Sequence, residues 1–362
     1  MALFSFKFIM VFYLLFSLIV TLSMYIPPRD GSLISVLSLL IPLNLFFGLL
    51  SLFFVLFNKK TVYNQLLIGV IALIFFINIY QVFGAFSLGR DNSKEEKDFT
   101  VLSYNISSLH TRGDFSSEYD NPIYNSTAVS IKDYLLTHSA DIICVQELWD
   151  DDSSSLFNIS KSFNDRGYDH YVLAKPKHIP WRKRGLGIFS KYPIIKSGEI
   201  FLSENNFNGA AYADIAIQDD TVRVINVHLQ SLQINLDKYW KVPSSIFLDF
   251  NQLAIKVKKN QIIRFQQLQE ILAFADNSPY SVVISGDFNE PHYSYLYQFV
   301  EKRYNDSFRH HNWKVVPTFH YKLLQVKIDY QFANDLLYIV SSEVQDHIDF
   351  TYHYPLEAKY HF

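Results

Sequence analysis

A single cysteine, Cys144, occurs among the 362 residues, so no intramolecular disulfide braces this chain. It sits inside the apolar run Ile142-Ile143-Cys144-Val145, where a thiol reads as a buried, inert side chain. No internal repeat and no low-complexity segment is present. Basic charge is also scarce. The formal net charge is −3, and residues 1–97 hold seven Lys/Arg and four Asp/Glu, leaving 25 basic and 31 acidic residues in 98–362. Such a balance argues against a module that coats nucleic acid.

Charge is missing altogether from three stretches, 8–26, 33–57 and 66–88. Their lengths of about 19, 25 and 23 residues each meet the roughly 20 needed to cross a bilayer. A cleaved signal peptide is the alternative for the first. It has only Lys7 at its start, an overlong apolar core and no small-residue cleavage site, and two more apolar stretches follow. Three transmembrane helices are therefore expected, the second kinked at Pro42. Lys7, Lys59 and Lys60 fall on the amino-terminal side, with Arg29 and Arg90 on the other, where Glu95 and Glu96 dilute Lys94 and Lys97. The positive-inside rule then places the amino terminus inside and a catalytic domain outside the cytoplasm. The charged linker 91–97 leads into that domain, 98–362.

Within 98–362 the pattern changes to short β-branched runs that end on polar side chains. The most informative is Ser281-Val282-Val283-Ile284-Ser285-Gly286-Asp287-Phe288-Asn289. It reads as a buried strand, with Gly286 allowing a sharp turn and Asp287 and Asn289 pointing to one side beyond it. A strand over 100–105 ends at Asn105. Another over 141–147 delivers Gln146 and Glu147 at its end, and 185–190 forms a short strand before a turn. Residues 211–218 and 221–228 flank Asp219-Asp220 as a hairpin, whose second arm ends at Asn226-Val227-His228. Helices are expected at 128–139 and along the stripe Ile262, Phe265, Leu268, Leu272 and Ala275. Ile328-Asp329-Tyr330-Gln331-Phe332 begins a further strand, and Thr351-Tyr352-His353-Tyr354-Pro355 closes the pattern. Strands with interspersed helices over such a length give a layered α/β domain.

Asn105, Glu147, His228, Asp287, Asn289, Asp329 and His353 thus stand in order at strand ends. Each alone reads as a turn cap or a solvated side chain, and His353 among other late histidines reads as a surface residue. Together they suit metal-assisted phosphoester hydrolysis. Glu147 would hold a cation that polarises phosphoryl oxygens. His353, oriented by Asp329, would take a proton from water. Asn289 and Asn105 would position phosphate oxygens, with His228 donating to one of them.

The segments SYN (103–105), VQE (145–147), GLGIFSKYP (185–193), NVHL (226–229), GDFNEPHYS (286–294), IDYQF (328–332) and HYPL (353–356) cover essentially all of 98–362. In number and order they resemble the endonuclease/exonuclease/phosphatase superfamily, with its DNase I-like nucleases, neutral sphingomyelinases and inositol-polyphosphate phosphatases. The resemblance implies a four-layer α/β sandwich, two mixed β-sheets packed face to face with outer helices. It implies dependence on Mg²⁺, with Mn²⁺ as a substitute ion, Glu147 as principal metal ligand and Asn105 beside it. It also implies that Asp287 and Asn289 bind phosphate and help activate water, with Asp329–His353 as base. His228 is closer to the DNase and sphingomyelinase branches than to the DNA-repair nucleases. One departure stands out. The family usually has Ser-Asp-His where this chain has Thr351-Tyr352-His353, so a carboxylate is missing.

The expected activity is a membrane-anchored phosphodiesterase acting on a nucleic acid or a phospholipid headgroup. No protein partner is evident, and a membrane-tethered binding protein that retains the fold is the competing class. The basic cluster Lys175, Lys177, Arg182, Lys183 and Arg184 suits a nucleic-acid backbone, an anionic headgroup or simply solvent. The insertion Tyr239-Trp240-Lys241-Val242-Pro243 with Ile246-Phe247-Leu248 suits either core packing or a membrane surface.

Overall fold

The computed structural model describes residues 2–56, 62–83, 98–110, 122–175, 184–203, 207–232, 246–309, 316–322 and 324–362. The linker 91–97, the insertion 239–243 and Lys177, Arg182 and Lys183 of the basic cluster lie outside them.

The apolar runs become strands with both faces covered. One sheet has the order β13-β14-β1-β2-β4-β3, built from β1 (Asp98–Asn105), β2 (Ile142–Trp149), β3 (His170–Ala174), β4 (Arg184–Ser190), β13 (Tyr338–Val344) and β14 (Leu356–His361). The other runs β5-β6-β7-β8-β12-β9, from β5 (Ile194–Leu202), β6 (Gly209–Ile217), β7 (Asp220–His228), β8 (Ser281–Asp287), β9 (Asn305–Asp306) and β12 (Asp329–Ala333). β10 (Phe319–Tyr321) and β11 (Leu324–Val326) form a separate two-stranded ribbon. Parallel pairs β1·β2 and β7·β8 among antiparallel neighbours make both large sheets mixed.

Successive strand residues point to opposite faces, which explains the unbroken apolar runs. Val101, Ile142, Cys144 and Ile188 meet Ala213, Ile215, Val224 and Val283 between the sheets. Their neighbours Leu102, Ile143 and Val145 turn outward, to be covered by Ile131 and Leu135 of α4 (Pro122–Thr137) and Phe163 of α5 (Ile159–Asn164). On the other side Ile225, Ile284 and Phe332 pack beneath Leu268, Ile271 and Leu272 of α6 (Ile246–Asp276) and Leu296 and Val300 of α7 (Tyr295–Glu301). The result is helix, sheet, sheet, helix. A fully buried Val, Ile or Leu is worth roughly 2 kcal/mol, so the layers are held by these runs collectively.

Polar ties cross the middle layer. Gln146 donates to Asn226 Oδ1 at 2.7 Å, and Asn226 donates back to the carbonyls of Val145 and Gly187 at 3.0 and 2.9 Å. Gln331 donates to the carbonyls of Val101 and Leu356 at 3.0 and 2.8 Å. These amides belong to the sequence motifs, yet their work is to fix one sheet over the other.

Ahead of the sandwich lie α1 (Ala2–Ser23), a 3-10 helix (Ile34–Leu40), α2 (Ile41–Leu56) and α3 (Val62–Phe83). The second apolar stretch opens as a 3-10 helix that passes directly into α2 at Ile41. Pro42 is the second residue of α2, where a missing N–H leaves no bond unmade. Among the described residues one helical stretch, Ile34–Phe53, is long and apolar enough to cross a membrane. Val11–Ser23 and Gly69–Tyr80 are shorter apolar segments within α1 and α3, helices that themselves run to 22 residues each. Among the described residues, one of the three expected spans therefore meets the combined length and hydropathy of a membrane-crossing helix. Large apolar side chains remain exposed on all three helices, including Phe12, Phe46, Phe53, Leu73 and Phe76. The helices touch the sandwich where Tyr293 packs on Val20, Met24 and Ile41, and where Ser35 Oγ donates to Gln261 Oε1 at 3.1 Å.

Candidate active site

Register alone places three of the expected residues in one row. His228 pairs with Asp287 across β7 and β8, and Asp287 with Asp329 across β8 and β12. The row requires the backbones to approach closely at Gly286. Its φ is +142°, and a Cβ there would lie 2.0 Å from the Val227 carbonyl oxygen. The glycine serves close strand packing rather than a sharp turn, since β8 continues through it to Asp287. Beyond Asp287, Asn289 has φ +52°, and its amide donates to Asp287 Oδ1 at 2.8 Å. Its side chain donates to the Leu229 carbonyl at 3.1 Å, so it does not simply run parallel to Asp287 as in an extended strand.

The first sheet contributes Asn105 and Glu147. Asn105 donates through Nδ2 to Asp287 Oδ2 at 3.0 Å and accepts from the Ser107 amide at 3.0 Å. Glu147 is not at a strand end. Val145 opposes Gly187 and Leu148 opposes Gly185, so Gln146 and Glu147 together face the single residue Leu186. This is a β-bulge, which re-aims a side chain. Glu147 sits at φ +51° within it, and Leu148 consequently joins the outer core as Val145 does. Ser107, Ser108 and Leu109 follow at φ +46°, +54° and +59°, and Ser108 Oγ donates to Glu147 Oε2 at 3.2 Å. Of seven non-glycine residues with positive φ among those described, these three, Glu147 and Asn289 gather here. Left-handed backbone costs an L-residue about 1–2 kcal/mol, and such strain clusters where function holds it.

His353 is buried, not a surface residue. Its Nδ1 lies 3.1 and 3.0 Å from the two Asp329 oxygens, and its Nε2 lies 3.9 Å from Asp287 Oδ2. A carboxylate only accepts, so Nδ1 carries the proton and Nε2 holds the lone pair in the neutral ring. Burial pulls the imidazole pKa down, but Asp329, with Asp287 and Glu147 behind it, outweighs that and raises it to about 9. Asp287 is raised as well, by burial first and then by Asp329, with His353 and His228 opposing. His228 Nε2 stands 3.6 Å from Asp287 Oδ2 and 4.0 Å from Glu147 Oε1, while Nδ1 contacts the Phe207 carbonyl at 3.0 Å. A carbonyl only accepts, so Nδ1 is the protonated nitrogen and Nε2 donates only from the imidazolium form.

Supports absent from the sequence reading hold these groups. Thr318 Oγ1 accepts from the amides of Ile328 and Asp329 at 3.0 and 2.9 Å. Thr351 Oγ1 accepts from the His353 amide and donates to the Asn105 carbonyl, at 3.0 and 3.1 Å. Thr351 lies inside a recognised motif and Ser108 three residues beyond another, so motif flanks were the available signal.

All seven expected residues therefore converge: Asn105, His228 and His353 on Asp287, Glu147 on His228, Asp329 on His353, with Asn289 bound to Asp287 through its backbone. The sequence matches the profile described as the Endonuclease/Exonuclease/phosphatase family over residues 102–353. The chain belongs to that family.

The fold of this family member is similar to that of an endonuclease/exonuclease/phosphatase from Beutenbergia cavernae DSM 12333. They share 16% identity at a TM-score of 0.51, over 74% of this chain and 72% of that one. It is also similar to the 3′ phosphatase NExo from Neisseria bound to product DNA hairpin, at 16% identity and TM-score 0.50, over 73% and 100% of the chains. A third similar structure is ANGEL2, a 2′,3′-cyclic phosphatase in complex with adenosine-2′,3′-vanadate, again at 16% and 0.50, over 73% and 95%. At such identities the likeness is one of fold. No curated protein matches this sequence.

Members of the family typically depend on a divalent metal, and the donors here fit one. Asp287, Asp329 and His353 each offer a ligand atom within 4.8 Å of the others. That trio is buried and already joined by the Asp329–His353 hydrogen bond. Glu147, its side chain 20% exposed, is the carboxylate that reaches solvent beside His228. Carboxylate and amide oxygens are what a hard cation takes. Tyr352, at the position of the family aspartate, is half-buried, its ring 5.4 Å from that of Tyr321 and 6.3 Å from that of Phe319. It packs on the β10–β11 ribbon through Phe319 and Tyr321, while Tyr354 stacks on His320 of the same ribbon at 4.5 Å.

Proposed function

We propose that residues 98–362 form a Mg²⁺-dependent phosphodiesterase, carried at a membrane by the three amino-terminal helices. The observation that carries the reading is the buried chain Asp329–His353···Asp287···His228, with a proton-accepting Nε2 facing the centre of the site. Glu147 and Asn105 would hold the metal, which supplies charge neutralisation at the phosphoryl oxygens and at the leaving oxygen. His353 Nε2 takes the proton of the attacking water, and Asp329 keeps the ring in the required tautomer and stabilises the imidazolium that forms. Asn105 keeps Asp287 in place. His228 presents Nε2 toward the position of a phosphate oxygen, and Asn289 lines the same end of β8. The exposed apolar side chains on α1, α2 and α3 support the membrane reading, since contiguous apolar surface of this kind seeks lipid or protein. A nucleic acid and a lipid headgroup are the two substrate classes to compare.

The test is turnover by the full chain in detergent on DNA, RNA, sphingomyelin and inositol phosphates, with and without chelator. Hydrolysis of at least one substrate, abolished by chelator, is expected. Glu147→Gln is expected to cut metal-supported turnover by 100-fold or more while its melting temperature stays within a few degrees of wild type. Hydrolysis that survives excess chelator would refute the metal mechanism. Binding without turnover would leave the tethered binding protein.

A further inference from the structure

Arg264, near the middle of α6, is only 2% exposed and is among the largest fully buried side chains of the protein. A guanidinium is almost never buried without full pairing, because removing it from water costs several kcal/mol. Its pairing is divided between two loops. Nε and Nη2 donate to Glu290 Oε1 at 2.9 and 2.6 Å, and Nη1 donates to the Gln230 carbonyl at 2.7 Å. Gln230 follows His228 by two residues, and Glu290 follows Asp287 by three and Asn289 by one. One turn further along α6, Gln267 Oε1 accepts from the Gln230 amide at 2.9 Å, so the helix grips that peptide from both ends. The Glu290 carbonyl is in turn bonded by Tyr330 Oη at 2.9 Å, next to Asp329.

We infer that Arg264 is a positioning residue of the active site: through Gln230 and Glu290 it locks the loops after β7 and β8 to each other, and so sets where His228, Asp287 and Asn289 stand. A rigid planar fork with fixed donor directions suits this task, and a lysine ammonium does not. A merely stabilising ion pair behaves otherwise. Replacing both partners of a buried pair with apolar side chains of similar size is often neutral for stability. The Gln230 contact is the part that such a replacement cannot restore.

This inference rests on the phosphodiesterase reading for its kinetic consequence, and the experiment separates the two. The full chain, wild type, Arg264→Lys and the double variant Arg264→Met with Glu290→Leu, is assayed on bis(p-nitrophenyl) phosphate with Mg²⁺. Amide hydrogen exchange is followed in parallel at 228–230 and 287–291. The double variant is expected to keep its melting temperature but lose about 100-fold in kcat, the scale of an ångström misplacement, with KM within about threefold. Exchange in both loops should rise at least tenfold, while the centres of β7 and β8 stay unchanged. Arg264→Lys should fall between the two. If the wild type does not hydrolyse the probe, the functional reading fails, and the exchange data still decide whether Arg264 couples the loops. A folded double variant with wild-type exchange in both loops, or with kcat within twofold of an active wild type, overturns the inference. So does an unfolded double variant paired with an Arg264→Lys protein of wild-type exchange and kcat.

Discussion

His353 holds opposite demands in one ring. The proposed role as base needs a free Nε2 lone pair, yet Asp329, Asp287 and Glu147 favour the protonated ring and raise its pKa to about 9 against the pull of burial. In the metal-free protein the imidazolium is therefore the dominant form at neutral pH. Because the folded pKa lies above the unfolded one of about 6.5, the ring contributes stability that is complete below pH ~6.5 and lost as pH rises through ~9. Histidine NMR in chelator is expected to give a His353 midpoint near 9, and melts between pH 6.5 and 9 should show wild type losing more stability than His353→Gln. A midpoint below 7 would mean that Asp329 does not govern the ring. Tyr352 carries a second prediction at this scale. Its neutral phenol supplies no charge, and its ring packs on the β10–β11 ribbon, outside the main hydrophobic core. Tyr352→Asp should stay folded and move the activity-versus-Mg²⁺ curve to lower concentration, since hydrated Mg²⁺ needs anionic oxygens. A stable variant with an unmoved curve would sink the idea.

Strands carried most of what was legible. β7, β8 and the β6–β7 hairpin follow from β-branched runs bounded by turn residues, and α6 from its apolar stripe. Less of β14 was visible. Leu356, Ala358 and Tyr360 are its buried face, but Glu357, Lys359 and His361 between them dilute the run. The edge strands β5 and β13 are mostly half-exposed and carry weaker patterning still. The site residues were readable as strand-end polar groups, whereas the bulge at Glu147 was not, because a register shift belongs to a pair of strands. Asn226, Gln146 and Gln331 look like site residues in a motif, and only packing reveals them as ties between sheets. Thr318 and Thr351 act on Asp329 and Asn105 across 11 and 246 residues, beyond any local pattern. Gly286 makes the prediction at this scale. An added Cβ would collide with Val227 on the neighbouring strand at an already unusual φ. Gly286→Ala is expected to cost about 3 kcal/mol or more in urea unfolding, with activity lost even where the fold survives. A loss under 1 kcal/mol would show that β7 and β8 separate easily.

Across the molecule, the apolar helices and the sandwich meet at Tyr293, within four residues of Asn289. Anchoring in which α3 crosses the bilayer predicts that engineered cysteines at 58–60 and at 91–97 label from opposite sides of the membrane. Cys144 is fully buried, and its thiol is pushed far above its ordinary pKa by that burial, so background labelling should be negligible. Labelling of 91–97 from the cytoplasm alone would reverse the orientation. The strand order of the first sheet also has a consequence in time. β1 lies between β2 and β14, with Asp98 opposite His361. At about 5–20 residues per second, β1 waits on the order of ten seconds to a minute after leaving the ribosome for that partner to be made. Asn105 leaves with the waiting strand, and His353 arrives just ahead of the late one. A half-made chain therefore holds neither a complete sheet nor His353, and the proposed hydrolysis would have to wait until translation has passed the last described strand.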